Sequence, residues 1–255
     1  MHIMETIKLH HHQPFLSQCE AEVTHIDPVK GIVLDQSIAY AESGGQQGDT
    51  GILIIQNNGT PEEIPFTDTQ KGYGRLLLLK DFPTIPVQTP TYHQVSPDDL
   101  PKFYTGQKVS VKINRERRAL LTISHSGIHL VLMGLEKKYA GIYSSIRGCS
   151  IKPGGARLDF HTDQKFSAED VLFVQDFVQD KIALNKEMFV YQHHQEAEAW
   201  YWQLDDYIVP CGGTHLVNTG NIGTVTVKKE NLGRSSQRMA FTFNNYQLPQ
   251  YHETK

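Results

Sequence analysis

The sequence predicts an α+β fold, with a small β-barrel carrying a glycine-rich loop over residues 1–112 and an α+β unit over 113–255. Three observations lead there. As far as about residue 110, apolar residues come in short runs broken by turn residues, with no helical period. At Asn114 the pattern changes to apolar residues at helical spacing. After Gly212 short strand-like runs return.

Taken in order, residues 22–25, 31–34, 51–55, 76–79 and 108–113 read as strands, separated by Asp27-Pro28, Asn57-Asn58-Gly59 and similar breakers. Short strands with glycine-rich turns are the pattern of a small barrel or sandwich. The proline-rich stretch 83–101 reads as a connection rather than a strand. From 114 to about 140, Leu120, Leu121, Ile128, Leu132 and Leu135 form a helical stripe, with Asn114 as N-cap and Gly141 as the stop. Residues 157–160 read as a strand. A second helix starts at Ser167, with Asp170 as its capping partner, and runs through Val171, Val174, Phe177, Val178 and Ile182. Residues 222–227 and 238–243 read as closing strands.

A net charge of −4 argues against indiscriminate nucleic-acid binding, while local basic clusters leave room for an RNA partner. These are Arg115, Arg117 and Arg118; Arg147, Lys152 and Arg157; and Lys228, Lys229, Arg234 and Arg238. Each by itself reads as a solvated surface. Apolar runs such as 76–79 fall far short of a membrane span, and residues 1–12 hold no apolar stretch of signal-peptide length, so no membrane partner is expected. Three cysteines, an odd and sparse count, fit a reducing compartment, and a cytoplasmic location is expected. The His10-His11-His12 run reads as native surface.

His125 and His129 stand four apart in the first helix, which puts both imidazoles on one face within reach of a shared ion. That spacing alone is a weak signal. Pro210-Cys211-Gly212-Gly213-Thr214-His215 adds a thiol and an imidazole across two glycines that permit a tight turn. Two nitrogens from a helix, with a sulfur and a nitrogen from a loop, suit one Zn2+ per chain. Ser126-Gly127-Ile128 between the helix histidines leaves out the glutamate of a His-Glu-x-x-His protease, and Gly44-Gly45-Gln46-Gln47-Gly48 lacks the Lys-Ser/Thr of a P-loop. The segment Ala41-Glu42-Ser43-Gly44-Gly45-Gln46-Gln47-Gly48-Asp49-Thr50-Gly51 reads either as a barrel hairpin or as a loop to which a backbone or ligand comes close, Gln46 offering it both a donor and an acceptor.

The His-Ser-Gly-Ile-His segment, the Cys-Gly-Gly-Thr-His segment followed by Asn-Thr-Gly, and the Glu-Ser-Gly-Gly-Gln-Gln-Gly-Asp-Thr-Gly loop resemble, in order and spacing, the editing domain of alanyl-tRNA synthetase. The resemblance runs from about residue 5 to 243 and takes in the strand Arg157-Leu158-Asp159-Phe160. Since no aminoacylation domain is read ahead of these motifs, the expected match is to the free-standing AlaX editing proteins, whose medium-length members the sequence resembles in size. The resemblance implies a second half of the threonyl/alanyl-tRNA synthetase common-domain type. It also implies hydrolysis, in trans, of mischarged tRNA(Ala), chiefly Ser-tRNA(Ala) and also Gly-tRNA(Ala). On this resemblance His125, His129, Cys211 and His215 fall on metal positions and Gln46 on the glutamine of the family's Gly-Gly-Gln loop, as substrate- or water-positioning residue. Gly45, Gln46, Cys149, Arg118 and Arg238 become the expected substrate-binding residues. The chain departs from the family at Ala41 and Ser43, where Pro and Gly are usual. It departs again at Cys149, where Ser is common, and in Met239-Ala240-Phe241.

Two other functions fit the same residues. A zinc-stabilised module could bind tRNA without cleaving it, since four protein ligands fill a tetrahedral shell in the manner of a structural site. A metal hydrolase of a small ester would turn over without tRNA.

Overall fold

Six strands close into a barrel in the first half of the chain. Around the barrel they run Lys108–Ile113, Gln18–Asp27, Gly31–Leu34, Thr91–Val95, Thr60–Lys71 and Gly51–Asn57, each antiparallel to its neighbour. Alternate residues fill the interior: Cys19, Ala21 and Val23 from one strand, Val109, Val111 and Ile113 from its neighbour, Ile64 and Phe66 from the longest. The computed structural model describes residues 4–80 and 82–253, so the outermost ends of the expected 1–112 and 113–255 units lie outside the described residues.

Two barrel strands depart from the sequence reading. Thr60–Lys71 offers Ile64 and Phe66 as its only large apolar residues and holds two prolines. Pro61 and Pro65 are tolerated because pairing with Thr91–Val95 begins only at Phe66, so the stretch before it is bonded on one side alone. Thr91–Val95 lies inside the stretch expected to be a connection and sits between two barrel strands. The strand expected at 76–79 is Arg75–Leu77, paired with Ile85–Val87. Leu77 is buried against Val87 and Ala199 and Leu79 packs on them partly buried, while Leu76 and Leu78 face solvent.

In the second half, Ile146–Lys152, Gly155–His161, Ser236–Asn244 and Thr224–Gly233 form a four-stranded antiparallel sheet in that order. Among the described residues there are two α-helices, α1 (Arg115–Lys138) and α2 (Ala168–Ala183), and both pack on this sheet. Ile222 belongs to a 3-10 turn, and Gly223 at φ +83° breaks the chain before the strand that was expected at 222–227. A further sheet of Phe189–His193, Glu196–Leu204 and Tyr207–Pro210 carries Trp202, Leu204 and Val209 into the same core.

Helix α1 is buried on every side from Leu121 to Leu135, not along a single stripe, because the sheet, α2 and the segment around His215 enclose it. It is long and apolar enough to cross a membrane, yet 89% of that window is buried within the protein, as befits a core helix. The Asn114 side chain caps it by accepting the Arg117 N–H at 3.0 Å, while the Asn114 N–H donates to Thr50 of the barrel side. The helix ends at Lys138, capped by Tyr139, with left-handed Gly141 two residues further on. Ser167 and Asp170 form the expected capping box at the start of α2.

Candidate metal centre

Helix α1 presents His125 and His129 one turn apart, their rings stacked at 11° with centroids 5.0 Å apart. The strand Tyr207–Pro210 delivers Cys211, whose Sγ lies 3.3 Å from His125 Nε2 and 3.2 Å from His215 Nε2. One ligand atom from each of the four residues lies within 4.8 Å of all the others. This group could hold a metal ion. Thiolate and imidazole bound to one tetrahedral ion stand about 3.5 Å apart, close to the spacings seen.

The donor set fits such an ion in two further ways. Both ring nitrogens of His129 and Nδ1 of His215 are buried without a hydrogen-bond partner among the described residues, a costly arrangement unless something binds them. Burial also keeps the three imidazoles neutral, His129 down to about 3, as metal ligation requires. The Cys211 thiol is pushed up to about 12 by burial, so a thiolate there needs a cation beside it.

Gln46 stands behind this group and is fully buried. Its carbonyl oxygen accepts from His125 Nδ1 at 2.6 Å and from the Thr214 N–H at 3.1 Å, while its amide donates to Thr214 Oγ1 at 3.0 Å. The Thr214 N–H fixes which end of the amide faces the histidine. His125 is thereby held in the tautomer with its Nε2 lone pair turned to the cluster. Ser126, between the two helix histidines, accepts from the Leu216 N–H at 2.9 Å and ties the Cys211–His215 segment to α1.

The two glycines after Cys211 differ from expectation. Neither has the positive φ that a glycine-only turn would need. What matters at Gly213 is space: a Cβ there would lie 2.1 Å from His125 Cε1 and 3.0 Å from Gln46 Oε1. At Gly212 the nearest atom would be His11 Cε1, at 3.4 Å.

The glycine-rich loop of the barrel side joins the second half through an isolated parallel bridge between Gln46 and Ile151. The Ile151 N–H donates to Gly45 O at 2.7 Å and the Gln47 N–H to Ile151 O at 3.2 Å. Gly45, at φ +87°, lies so close to Cys149 that a Cβ would meet the Cys149 Cβ at 2.8 Å. Arg118 of α1, completely buried, grips Asp49 at the end of this loop and donates to Ile38 O at 2.8 Å. The expected substrate residues are therefore divided: Cys149 faces the cavity described next, Gly45 and Gln46 pack behind it, and Arg118 is spent on Asp49. Arg238 is held by Asp159 at 2.6 Å and by Glu230 at 3.0 Å.

A cavity of about 510 Å3 opens onto His125, His129 and Cys211. Ile128, Leu132 and Ile151 give it apolar lining, with Cys149 also lining it. The barrel side supplies Lys8, His10, His11 and Lys71. Sequence reasoning missed this wall by treating residues 10–12 as surface. His10 is 6% exposed, and His11 stacks on Trp200 at 4.9 Å and 7°. Trp202, two residues on, stacks on His129 at 4.7 Å. Two tryptophans at strand spacing on one face were the available signal.

No protein-family model matches the chain. It is 30% identical over 245 residues to an alanine–tRNA ligase of Parabacteroides distasonis, covering 87% of this chain and 25% of the ligase. It is 28% identical to the alanine–tRNA ligase of Pyrococcus furiosus, covering 93% of this chain and 26% of the ligase. Against the alanyl-tRNA editing protein AlaX-M of Methanosarcina mazei it is 27% identical over 253 residues, covering 89% of this chain and 92% of that protein. The chain is a homologue of these proteins. It spans about a quarter of the length of the ligases it matches and nearly all of the editing homologue.

Proposed function

We propose that this chain is a zinc-dependent hydrolase that deacylates mischarged tRNA(Ala), chiefly Ser-tRNA(Ala) and also Gly-tRNA(Ala), in the cytoplasm. The observation that carries the reading is the cluster of His125, His129, Cys211 and His215, the first three of which line one cavity, in a chain homologous along most of its length to an alanyl-tRNA editing protein. The separate cores of residues 16–113 and 123–241 support a division near residue 112; the second half is, on the sequence resemblance, of the threonyl/alanyl-tRNA synthetase common-domain type.

One zinc ion per chain would be held by those four residues, and when bound it supplies Lewis-acid polarisation of an ester carbonyl or a water of lowered pKa. The chain's own residues do the rest. Gln46 holds His125 in its metal-binding tautomer, and Thr214 holds Gln46. Trp202 stacks on His129 and fixes its ring plane. The apolar wall around Cys149 sheds water from the aminoacyl group. Cys149 is a selectivity residue in this reading.

The test is the deacylation rate of Ser-tRNA(Ala), Gly-tRNA(Ala) and Ala-tRNA(Ala) by zinc-loaded protein, with His125→Ala and Cys211→Ala alongside. Loss of serine with alanine spared, and loss of both zinc and activity in the variants, is the expected result. Full activity in a zinc-free variant would refute the metal mechanism. One observation favours a second reading. Four protein ligands are the pattern of a closed structural site, which suits a tRNA-binding module without catalysis. That reading requires tRNA binding with no ester cleavage in the same assay.

A further inference from the structure

The cavity extends past the metal ligands to the barrel-side wall, and the ligand set makes no use of that wall. Lys71, the last residue of its barrel strand, lines it and donates to Ser43 Oγ at 3.1 Å. Among the described residues no carboxylate lies within ion-pairing distance of its ammonium group. Glu198, the acidic group on this wall, is already engaged: one oxygen takes Lys8 and the other takes the Gln88 N–H. Burial and the neighbouring Lys8 pull the Lys71 pKa down, against a partial offset from Glu198, so a further anion at its ammonium would be favoured. His10 completes the wall. It is 6% exposed, lines the cavity, and leaves Nδ1 buried without a partner among the described residues.

A lysine ammonium has three donors, and Ser43 uses one. Two donors from Lys71, with the His10 ring lining the same wall beside an aromatic surface of His11 on Trp200, suit the oxygens of a phosphate next to a nucleoside. A carboxylate side chain would also take the charge but leaves the adjoining aromatic surface and the volume of the cavity unfilled.

We propose that Lys71, Ser43 and His10 form a phosphate subsite that receives the phosphodiester joining the terminal, esterified nucleoside to the rest of the RNA strand. The identity of that phosphate rests on the deacylase reading, whereas the subsite itself is testable without turnover. The experiment titrates the full, zinc-loaded chain with AMP, adenosine and inorganic phosphate, for the wild type, Lys71→Gln and Lys71→Arg. Zinc content serves as the check on folding.

AMP should bind on the order of ten-fold more tightly than adenosine. That advantage should nearly vanish in Lys71→Gln, with zinc retained, and largely return in Lys71→Arg. Equal affinity for AMP and adenosine in the wild type would overturn the proposal, as would an advantage untouched by Lys71→Gln. Inorganic phosphate binding as tightly as AMP would overturn the assignment to RNA in favour of a free phosphate. An AMP advantage without cleavage of any charged tRNA(Ala) would uphold the subsite and refute the deacylase. Cleavage without an AMP advantage would do the reverse.

Discussion

Of the adjacent glycines in Cys211-Gly212-Gly213 only the second is required for space, and replacing each by alanine tests this. An alanine at 213 would put its Cβ 2.1 Å from His125 Cε1 and 2.3 Å from Nδ1. Ordinary carbon contacts begin near 3.4 Å, so the imidazole must retreat by about 1.3 Å or the segment must lift away. The hydrogen bond from His125 to Gln46 is only 2.6 Å long and Cys211 Sγ lies 3.3 Å from Nε2, so a shift of that size breaks the first and spoils the second. Loss of the orienting partner of a metal histidine typically weakens metal binding 10- to 100-fold, about 1.4–2.7 kcal/mol. At Gly212 the nearest neighbour would be 3.4 Å away, and Gly212→Ala should bind zinc as the wild type does. The assay is zinc affinity by competition with a chromophoric chelator, with circular dichroism to confirm folding. Zinc affinity in Gly213→Ala within two-fold of wild type would refute the reasoning, and so would equal losses at both positions.

Three further outcomes follow from the same geometry. Gln46→Ala should lower zinc affinity by about 10- to 100-fold while leaving the fold intact, as measured by the same competition. Arg118→Met should cost about 3–5 kcal/mol in chemical denaturation, because Asp49 is left buried without its partner, and Arg118→Met combined with Asp49→Leu should recover much of the loss. Asp170 is pushed up by burial but pulled down further, to about 2, by Lys138, the Ser167 N–H and Tyr139. With a folded pKa below the unfolded value, it stabilises by about 2 kcal/mol above pH ~5, and that stability fades as pH falls toward about 2. Denaturation of Asp170→Asn against wild type should therefore show a gap at pH 7 that closes near pH 2.

The parts legible in the sequence are those with local causes. The helix over α1 followed from apolar spacing and from Asn114, and the start of α2 from Ser167 and Asp170, because caps and periodicity act within one or two turns. The four metal-cluster residues could be named from two four-residue spacings. Thr60–Lys71 was not legible, since its threonines, glutamates and prolines become a strand only when the barrel closes around Ile64 and Phe66. Nor were Glu196–Leu204 and its two inward tryptophans read as a strand.

By itself the sequence determined which side chains could bind a metal, where the two helices begin, and that a glycine-rich loop would matter. The tertiary structure alone decided what that loop does. It brings Gln46 to His125 across 79 positions of chain and makes it a support for the histidine. It commits Arg118 to Asp49 and draws His10, His11 and Lys71 into the cavity wall. The reason is physical: hydrogen bonds and desolvation depend on which surfaces the packed halves bring within about 3 Å, and no local pattern in the chain encodes that proximity.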